Sequence, residues 1–213
     1  MPISVLDCSC GIGTQAIGLA LRGYQVHATD LSPAAIEPAK IEAKSFGVSL
    51  TFGVADLRTL DTEVPGLFDV VLSCDNALPH LLNSKNLFLA ARSLGSTLKP
   101  NGLLVVSIRD YDSLLEEKPR STEPRIFDTP EGRRIVFQVW DWLEDGRIYQ
   151  VHQFIIKQVR GEWNTAHYAT LYRPLLRKEL SQILQTVGFT NLNWLMPSQS
   201  GYYQPIVVAY KPL

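Results

Sequence analysis

Short apolar runs alternate with amphipathic helical patterns over the first half of the chain. Segments with the length of buried strands lie at 3–7, 24–30, 50–56, 68–74 and 103–108, and the fourth of them, 68–74, is nearly continuous in its apolar character. Between two of them, the segment 84–98 carries apolar residues at helical spacing, which places them on one stripe. This regular alternation predicts an α/β fold with a doubly wound, mostly parallel sheet.

The pattern changes after Arg109. Three strand-like segments, 133–143, 147–159 and 162–173, are separated by the turn sequences "EDG" and "RG". They predict a three-stranded antiparallel meander inserted into the α/β unit, preceded by a surface loop at 117–132. A helical stripe at 176–187 and two closing strands resume the first pattern. We therefore expect a single domain over 1–213, in which 110–173 is an inserted lid or substrate subdomain.

The composition of the chain gives no sign of a nucleic-acid or membrane partner. The chain has 213 residues, 46% of them hydrophobic and 19% charged, with a net charge of −1, so nothing indicates binding to nucleic acid. No apolar run reaches the ~20 residues of a membrane span, and we expect no signal peptide before the first strand. The three cysteines, Cys8, Cys10 and Cys74, predict neither a disulfide framework nor a metal site, and favour a reducing cytoplasm.

The stretch "DCSCGIGT" follows the first strand and marks a ligand site. Gly11 and Gly13 allow backbone angles closed to other residues and let a ligand approach the main chain. Asp30, at the end of the second strand, is placed to accept hydrogen bonds from a ribose diol. Asp56, after the third strand, could accept one from an adenine amino group. The loop therefore predicts a bound nucleoside.

Two nucleoside cofactors fit these glycines. "GIGTQA" satisfies the G-x-G-x-x-G/A pattern of dinucleotide sites, so NAD is one candidate. Asp7, however, would place a negative charge beside a docked pyrophosphate. S-adenosylmethionine carries a sulfonium and an ammonium group, and Asp7 suits that positive charge. We favour S-adenosylmethionine.

The ordered motifs "VLDCSCGIG", "HATDLS", "VADL", "FDVVLSCDNALPHL" and "LKPNGLLVVSIRDYD" resemble those of class I S-adenosylmethionine-dependent methyltransferases over residues 3–112. The resemblance implies a Rossmann-like, seven-stranded sheet whose last strand is antiparallel. It implies that the cofactor is bound by Asp7, Ser9, Cys10, Gly11, Gly13, Asp30, Leu31, Ala55, Asp56, Leu57 and Cys74. In that family a helical segment before the first strand closes over the cofactor. Because our first strand starts by residue 3, we expect a truncated start or a lid supplied from elsewhere.

The second half is similar to glycine and glycine/sarcosine N-methyltransferases, through "SCDNALPHL", "SIRDYDSLL" and "YYQPIVVAYK". The similarity implies that Asn76 lines the methyl-transfer site, and that Arg109, Tyr111 and Tyr203 bind substrate. We expect Asn76 and Tyr111 to surround the transferred methyl. His80 is the candidate base for an acceptor that must lose a proton.

The prediction is methyl transfer to a small molecule, with the amine of an amino acid or related compound ahead of oxygen or carbon acceptors. The alternatives are a non-catalytic or truncated domain that binds S-adenosylmethionine or S-adenosylhomocysteine, and an NAD-dependent reductase. The expected partner is a small-molecule acceptor, without nucleic acid, membrane or metal, and a homo-oligomer is left open.

Overall fold

The computed structural model describes residues 2–130, 132–143 and 146–213, and this part of the chain forms two compact units. The first, the sheet unit, comprises the chain up to Leu78, Asn83–Asp110 and Arg177–Leu213. The second, the meander unit, comprises Pro79–Leu82 and Tyr111–Leu176. That 1–213 is a single domain with a subdomain at 110–173 stays a prediction.

Strands and helices alternate along the chain as the pattern predicts. The strands are β1 Ser4–Asp7, β2 Gln25–Asp30, β3 Thr51–Val54, β4 Phe68–Ser73, β5 Leu98–Ser107, β6 Arg125–Thr129, β7 Gly132–Trp142, β8 Tyr149–Val159, β9 Glu162–Tyr172, β10 Thr190–Leu195 and β11 Ile206–Tyr210. The helices are α1 Thr14–Leu21, α2 Pro33–Ser45, α3 Leu60–Glu63, α4 Ser84–Ser96, α5 Tyr111–Glu117, α6 Arg177–Thr186 and α7 Pro197–Ser200. A short 3₁₀ helix, Leu78–His80, precedes α4.

The sheet unit is built on seven strands in the order β10-β11-β5-β4-β1-β2-β3. The pairs within β3-β2-β1-β4-β5 are parallel, whereas β11 runs antiparallel to β5 and β10. The predicted mostly parallel sheet with an antiparallel last strand is confirmed. The order of strands reverses at β1, so the crevice beyond the carboxyl ends of β1 and β4 is the expected ligand position.

Buried side chains at the middle of the central strands form the core of this sheet. Leu6, Ala28, Val71, Leu104 and Val207 come from five strands, and each is 0% exposed. The start of α4 is set by a local hydrogen bond. Asn83 is the N-cap residue, and its side chain accepts a hydrogen bond from the N–H of Asn86 over 2.9 Å. The core fixes the strands, and the strand ends position the loops described below.

The meander unit contains a four-stranded antiparallel sheet in the order β6-β7-β8-β9. The sequence predicted three strands, and β6 lies within the segment 117–132 that was expected to be a loop. All five residues of β6 are exposed, so the strand carries no buried stripe by which a pattern could reveal it. The turn after β8 is as predicted: Arg160 and Gly161 both have positive φ, 53° and 85°. The other predicted turn, 144–146, lies partly outside the described residues.

None of the helices in the described ranges is long and apolar enough to span a membrane.

Candidate cofactor site and active site

The glycine loop between β1 and α1 is tied to the neighbouring strand ends by backbone hydrogen bonds. The N–H of Cys10 donates to the carbonyl oxygen of Thr29 over 2.9 Å. Gly11 has φ +53°, and a Cβ built there would meet no atom within 4 Å. Gly13, which caps α1, has φ +90°, and its Cβ would lie 3.1 Å from Ile17 Cδ1. Gly11 is therefore the glycine that leaves open space above the loop.

Asp30 fixes this loop from the end of β2. Its Oδ2 accepts a hydrogen bond from the N–H of Gly11 over 2.8 Å, and its Oδ1 accepts one from the N–H of Ser32 over 2.9 Å. Each carboxylate oxygen retains a further lone pair for a ligand donor. The structure thus brings Asp30 and the glycine loop together.

Asp7 is a buried carboxyl group beneath the same loop, with 1% of the residue exposed. Its Oδ1 accepts a long hydrogen bond, 3.4 Å, from the N–H of Ser9, while Oδ2 has no hydrogen-bond partner in the described chain. Burial, with smaller contributions from the charges of Asp30 and Asp75, raises the pKa of Asp7 to about 7. A cation placed beside Oδ2 would offset the free energy lost by burying this carboxylate.

The thiols around the glycine loop are poorly suited to act as nucleophiles. Cys8, Cys10 and Cys74 are free thiols, and burial raises the pKa of each, to about 12 for Cys74. They remain protonated at neutral pH and contribute a weakly polar lining.

Ser9 faces the end of β4, with its Oγ 3.1 Å from Ser73 Oγ.

The positions predicted to hold a nucleoside base flank the tips of β2 and β3. Leu31 is 66% exposed and Ala55 is buried. Leu57 is half-buried and follows Asp56. The Asp56 carboxylate is held by the guanidinium of Arg58, and the hydrogen bonds from Arg58 lower its pKa. An adenine amino group would have to share this carboxylate with Arg58, a residue that the sequence analysis did not single out.

The tip of β4 adopts an uncommon backbone. Asp75 and Asn76 are consecutive non-glycine residues with positive φ, 58° and 67°. Ser107 and Arg109 hold this turn: the N–H of Asp75 donates to Ser107 Oγ over 2.9 Å, and the N–H of Arg109 donates to Asn76 Oδ1 over 3.1 Å. Asn76 is 2% exposed, so its side chain joins the ends of β4 and β5. Backbone strain of this kind is concentrated at functional sites.

Asp75 lies at the centre of a cluster that the sequence analysis did not predict. Its Oδ1 accepts hydrogen bonds from the hydroxyls of Tyr202 and Tyr203, and its Oδ2 accepts one from Gln15 Nε2 over 3.0 Å. Burial opposes ionisation of Asp75, but these hydrogen bonds lower its pKa below the usual value. Burial and the Asp75 charge raise the pKa of Tyr203 to about 12, against a smaller opposing effect of Arg109. The cluster holds a carboxylate beside two neutral phenols.

The remaining predicted residues belong to the meander unit. His80 is exposed; its ring centroid lies 4.1 Å from that of Tyr172, and its Nδ1 is 3.4 Å from Thr170 Oγ1. Tyr111 is 0% exposed, and its hydroxyl lies 2.8 Å from the hydroxyl of Tyr149. The structure therefore brings Asn76, Arg109 and Tyr203 into one unit, and places His80 and Tyr111 in the other.

Comparison with known proteins agrees with this geometry. Residues 5–102 match the family described as a methyltransferase domain. YqeM of Bacillus subtilis, a protein named as a methyltransferase, is 30% identical over 190 residues, which cover 87% of this chain and 72% of YqeM. The chain belongs to the class I S-adenosylmethionine-dependent methyltransferases. The family inferred from the sequence is thus confirmed.

Other relatives of this methyltransferase are named for different acceptor atoms, nitrogen in one case and oxygen in another. A glycine/sarcosine N-methyltransferase of Parasynechococcus marenigrum is 34% identical over 113 residues, 53% of this chain. A ubiquinone biosynthesis O-methyltransferase of Xanthomonas euvesicatoria is 36% identical over 103 residues, 48% of this chain. The chain covers only 40% and 41% of the lengths of these two proteins.

A solved structure supports the fold of the methyltransferase over its whole length. The sugar N-methyltransferase KedS8 from a Streptoalloteichus strain superposes with a TM-score of 0.82 at 14% identity. The superposition covers 100% of this chain and 81% of KedS8.

The residues at the carboxyl edge of the sheet fit the family's cofactor. Asp7 offers a buried oxygen without a partner in the described chain, and Gly11 leaves the space in front of its Cα open. Asp30 is fixed in orientation beside both. A nucleoside with a positively charged tail matches this set of groups, because its hydroxyls and its charge meet carboxylates that are already positioned.

Proposed function

We propose that this methyltransferase transfers the methyl group of S-adenosylmethionine to the amine of a small acceptor, an amino acid or a related compound. The observation that carries the choice of an amine is the ionised Asp75 carboxylate beside the two neutral phenols of Tyr202 and Tyr203. An alkylammonium group is attracted both by a carboxylate and by the faces of aromatic rings. This arrangement therefore favours acceptors that arrive with a positive charge.

This chain contributes to the reaction by binding S-adenosylmethionine and holding it in a fixed orientation. S-adenosylmethionine, when bound, supplies a methyl group already activated by its positively charged sulfur. Asp7 attracts the positive charge of the bound molecule, and Asp30 holds the ribose hydroxyls against the glycine loop. Holding two reactants in line contributes on the order of 7–11 kcal/mol to catalysis, and these residues do so without taking part in bond formation.

On the acceptor side, the proposed roles follow from charge. Asp75 gathers the ammonium form of the acceptor, which enters the reaction after losing a proton to water. Transfer to the nitrogen lone pair would break the bond between the methyl carbon and sulfur and would leave its electron pair on sulfur. Arg109 bears a positive charge close enough to Tyr203 to influence its pKa, and it is the candidate partner for an acceptor carboxylate.

An oxygen acceptor is the second candidate, because three relatives are named as O-methyltransferases. A phenol or alcohol must lose its proton during the transfer, and this requires a base within hydrogen-bond reach. His80 is the residue proposed for that role. Its ring already contacts Tyr172 in the meander unit, which supports a packing role for His80 instead.

The test is a methyl-transfer assay with labelled S-adenosylmethionine over matched panels of amino acids, other amines, phenols and alcohols. We expect transfer to amines, with at least a tenfold loss of kcat/KM in Asp75→Asn and little change in His80→Ala. Preference for phenols together with loss of activity in His80→Ala would contradict the amine and support oxygen. Calorimetry that detects S-adenosylmethionine binding without any transfer would indicate a binding domain, and tighter binding of NAD would refute the cofactor.

A further inference from the structure

One face of the meander sheet carries apolar side chains on neighbouring strands. Residues directly opposite one another in an antiparallel pair point to the same side of the sheet. In β7 and β8, Ile135 is opposite Ile156 and Phe137 is opposite Phe154. Together with Val139 these residues define what we call the Phe137 face.

The Phe137 face continues across three strands as a row of stacked rings. The ring centroids of Phe137 and Phe154 are 5.2 Å apart, and those of Phe154 and His167 are 4.8 Å apart. At the margins of the same face, Ile126 is 60% exposed and Trp163 is 49% exposed. Large apolar side chains therefore lie in contact with one another on a solvent-accessible surface.

The core of the meander unit is on the other side of this sheet. Tyr149 and Val151 of β8 are buried and point away from the Phe137 face, because they occupy the alternate positions of the strand. Trp140 of β7 points the same way and is also buried. An antiparallel sheet normally places polar residues on the face that it leaves to water, so the Phe137 face departs from the expected pattern.

We propose that the Phe137 face of one chain packs against the Phe137 face of a second copy, forming a symmetric dimer. Its size supports this. Strands of 11 residues at ~3.4 Å per residue, spaced ~4.8 Å apart, present an area of about 600 Å² on each copy. A pair of such faces buries about 1,200 Å², the lower limit of specific interfaces.

The charges at the two ends of the face also favour a second copy. At one end Arg133 Nε lies 2.7 Å from Asp128 Oδ1, and at the other His152 Nε2 lies 3.0 Å from Asp141 Oδ2. The face therefore carries groups of both signs without an excess of positive charge, and two copies would not be driven apart by a large charge of one sign. An anionic membrane or a nucleic acid would instead select a face with an excess of positive charge.

The two-fold symmetry makes the contact self-complementary. Two sheets that pack face to face lie ~10 Å apart with strand directions within about 30° of one another. In such an arrangement the phenylalanine rows of the two copies interdigitate at the centre of the contact, and the polar contacts of Arg133 with Asp128 and of His152 with Asp141 remain at its rim. Aromatic residues at the centre with a polar rim are the usual composition of a specific interface.

Sedimentation equilibrium of the wild type and two matched variants tests the dimer. Ile156→Glu places a carboxylate in the Phe137 face, and Ile41→Glu makes the same change in α2 at a position that is 70% exposed. We expect a wild-type mass of twice 23.8 kDa at micromolar concentration. Ile156→Glu should weaken association by about a hundredfold or more, because each dimer carries the buried charge twice. Ile41→Glu should associate as the wild type does.

A second measurement on the wild type keeps the proposal falsifiable if Ile156→Glu does not fold. Hydroxyl-radical footprinting, at concentrations above and below the dissociation constant, compares Phe137, Phe154 and His167 with the control Tyr24, which is 36% exposed. We expect protection of the first three residues only in the concentrated sample. A wild type that is monomeric at about 100 μM, equal footprints at both concentrations, or undiminished association of folded Ile156→Glu would overturn the proposal.

Discussion

The side chain of Asp30 accepts a hydrogen bond from the backbone N–H of Gly11 over 2.8 Å, although 19 residues separate them in the chain. The contact joins the end of β2 to the loop after β1. The carboxylate that we propose to bind the ribose thus also fixes the backbone against which the rest of the nucleoside would lie. If the proposal holds, cofactor binding and the conformation of the glycine loop are coupled through this one side chain.

Asp30→Ala should weaken S-adenosylmethionine binding at least about tenfold, because two ribose hydrogen bonds and the bond to Gly11 are lost together. Isothermal titration calorimetry measures the affinity. Asp61→Ala makes the same change on the exposed surface of α3 and should bind as the wild type does. An affinity of Asp30→Ala within twofold of the wild type would show that this acid does not bind the cofactor.

Gly11→Ala should weaken cofactor binding while leaving a folded protein. The added Cβ meets no atom of the protein within 4 Å and would occupy space proposed for the ligand. Gly47→Ala is the matched control, because Gly47 also has a positive φ, +66°, and open space around its Cβ. Both variants should lose about 1 kcal/mol of stability from left-handed strain.

Thermal melting with and without S-adenosylmethionine separates the two effects. We expect equal melting temperatures of the two variants without ligand, and a smaller ligand-induced rise for Gly11→Ala alone. Equal rises in the two variants would mean that the cofactor does not approach the Gly11 backbone.

The sheet could be predicted from sequence because its signals are local. The central strands β4 and β5 contain runs of adjacent apolar residues, and the glycine loop stands next to the strand that positions it. β6 was missed because Arg125–Thr129 is exposed on both faces and is stabilised by pairing with β7 rather than by burial. A strand held only by its neighbour leaves no periodic pattern in its own residues.

The Asp75 cluster could not be predicted for a different reason. Gln15 and Tyr202 lie 60 and 127 residues from Asp75, and no local motif links them. They meet because α1 begins, β4 ends and the connection before β11 passes at the same edge of the sheet. The resemblance to known enzymes singled out Tyr203 alone, and Arg58, which pairs with Asp56, was likewise not indicated by any pattern.

Tyr203→Phe should raise the KM for the amine acceptor by about three- to tenfold with a smaller effect on cofactor affinity. The substitution removes a hydrogen bond to Asp75 and so weakens the orientation of its carboxylate. Tyr210→Phe removes a hydroxyl from another exposed tyrosine, near the end of β11, and should leave KM unchanged. Initial-rate kinetics at saturating S-adenosylmethionine provide the comparison. If both variants behave alike, the Asp75 cluster does not contact the acceptor.

Asp7 should make stability and cofactor binding respond to pH in opposite directions. Its pKa is raised from 3.8 to about 7, so between these values the folded chain keeps a proton that the unfolded chain has lost. The free energy of unfolding without ligand should therefore fall as pH rises through this window, by up to about 4 kcal/mol from this group. A cationic ligand prefers the ionised carboxylate. Its affinity should rise with pH up to about 7 and fall by up to tenfold for each pH unit below that.

Asp7→Asn removes the contribution of this carboxyl group to the pH dependence of both stability and cofactor affinity, because asparagine does not titrate. Chemical denaturation between pH 5 and 8 should show a variant more stable than the wild type at pH 8 by at least about 1 kcal/mol, since a buried charge has been removed. Its affinity for S-adenosylmethionine should be low and nearly independent of pH. A variant that binds the cofactor as tightly as the wild type at pH 8 would show that the charge of Asp7 is not used, and that the positive group of the cofactor lies elsewhere.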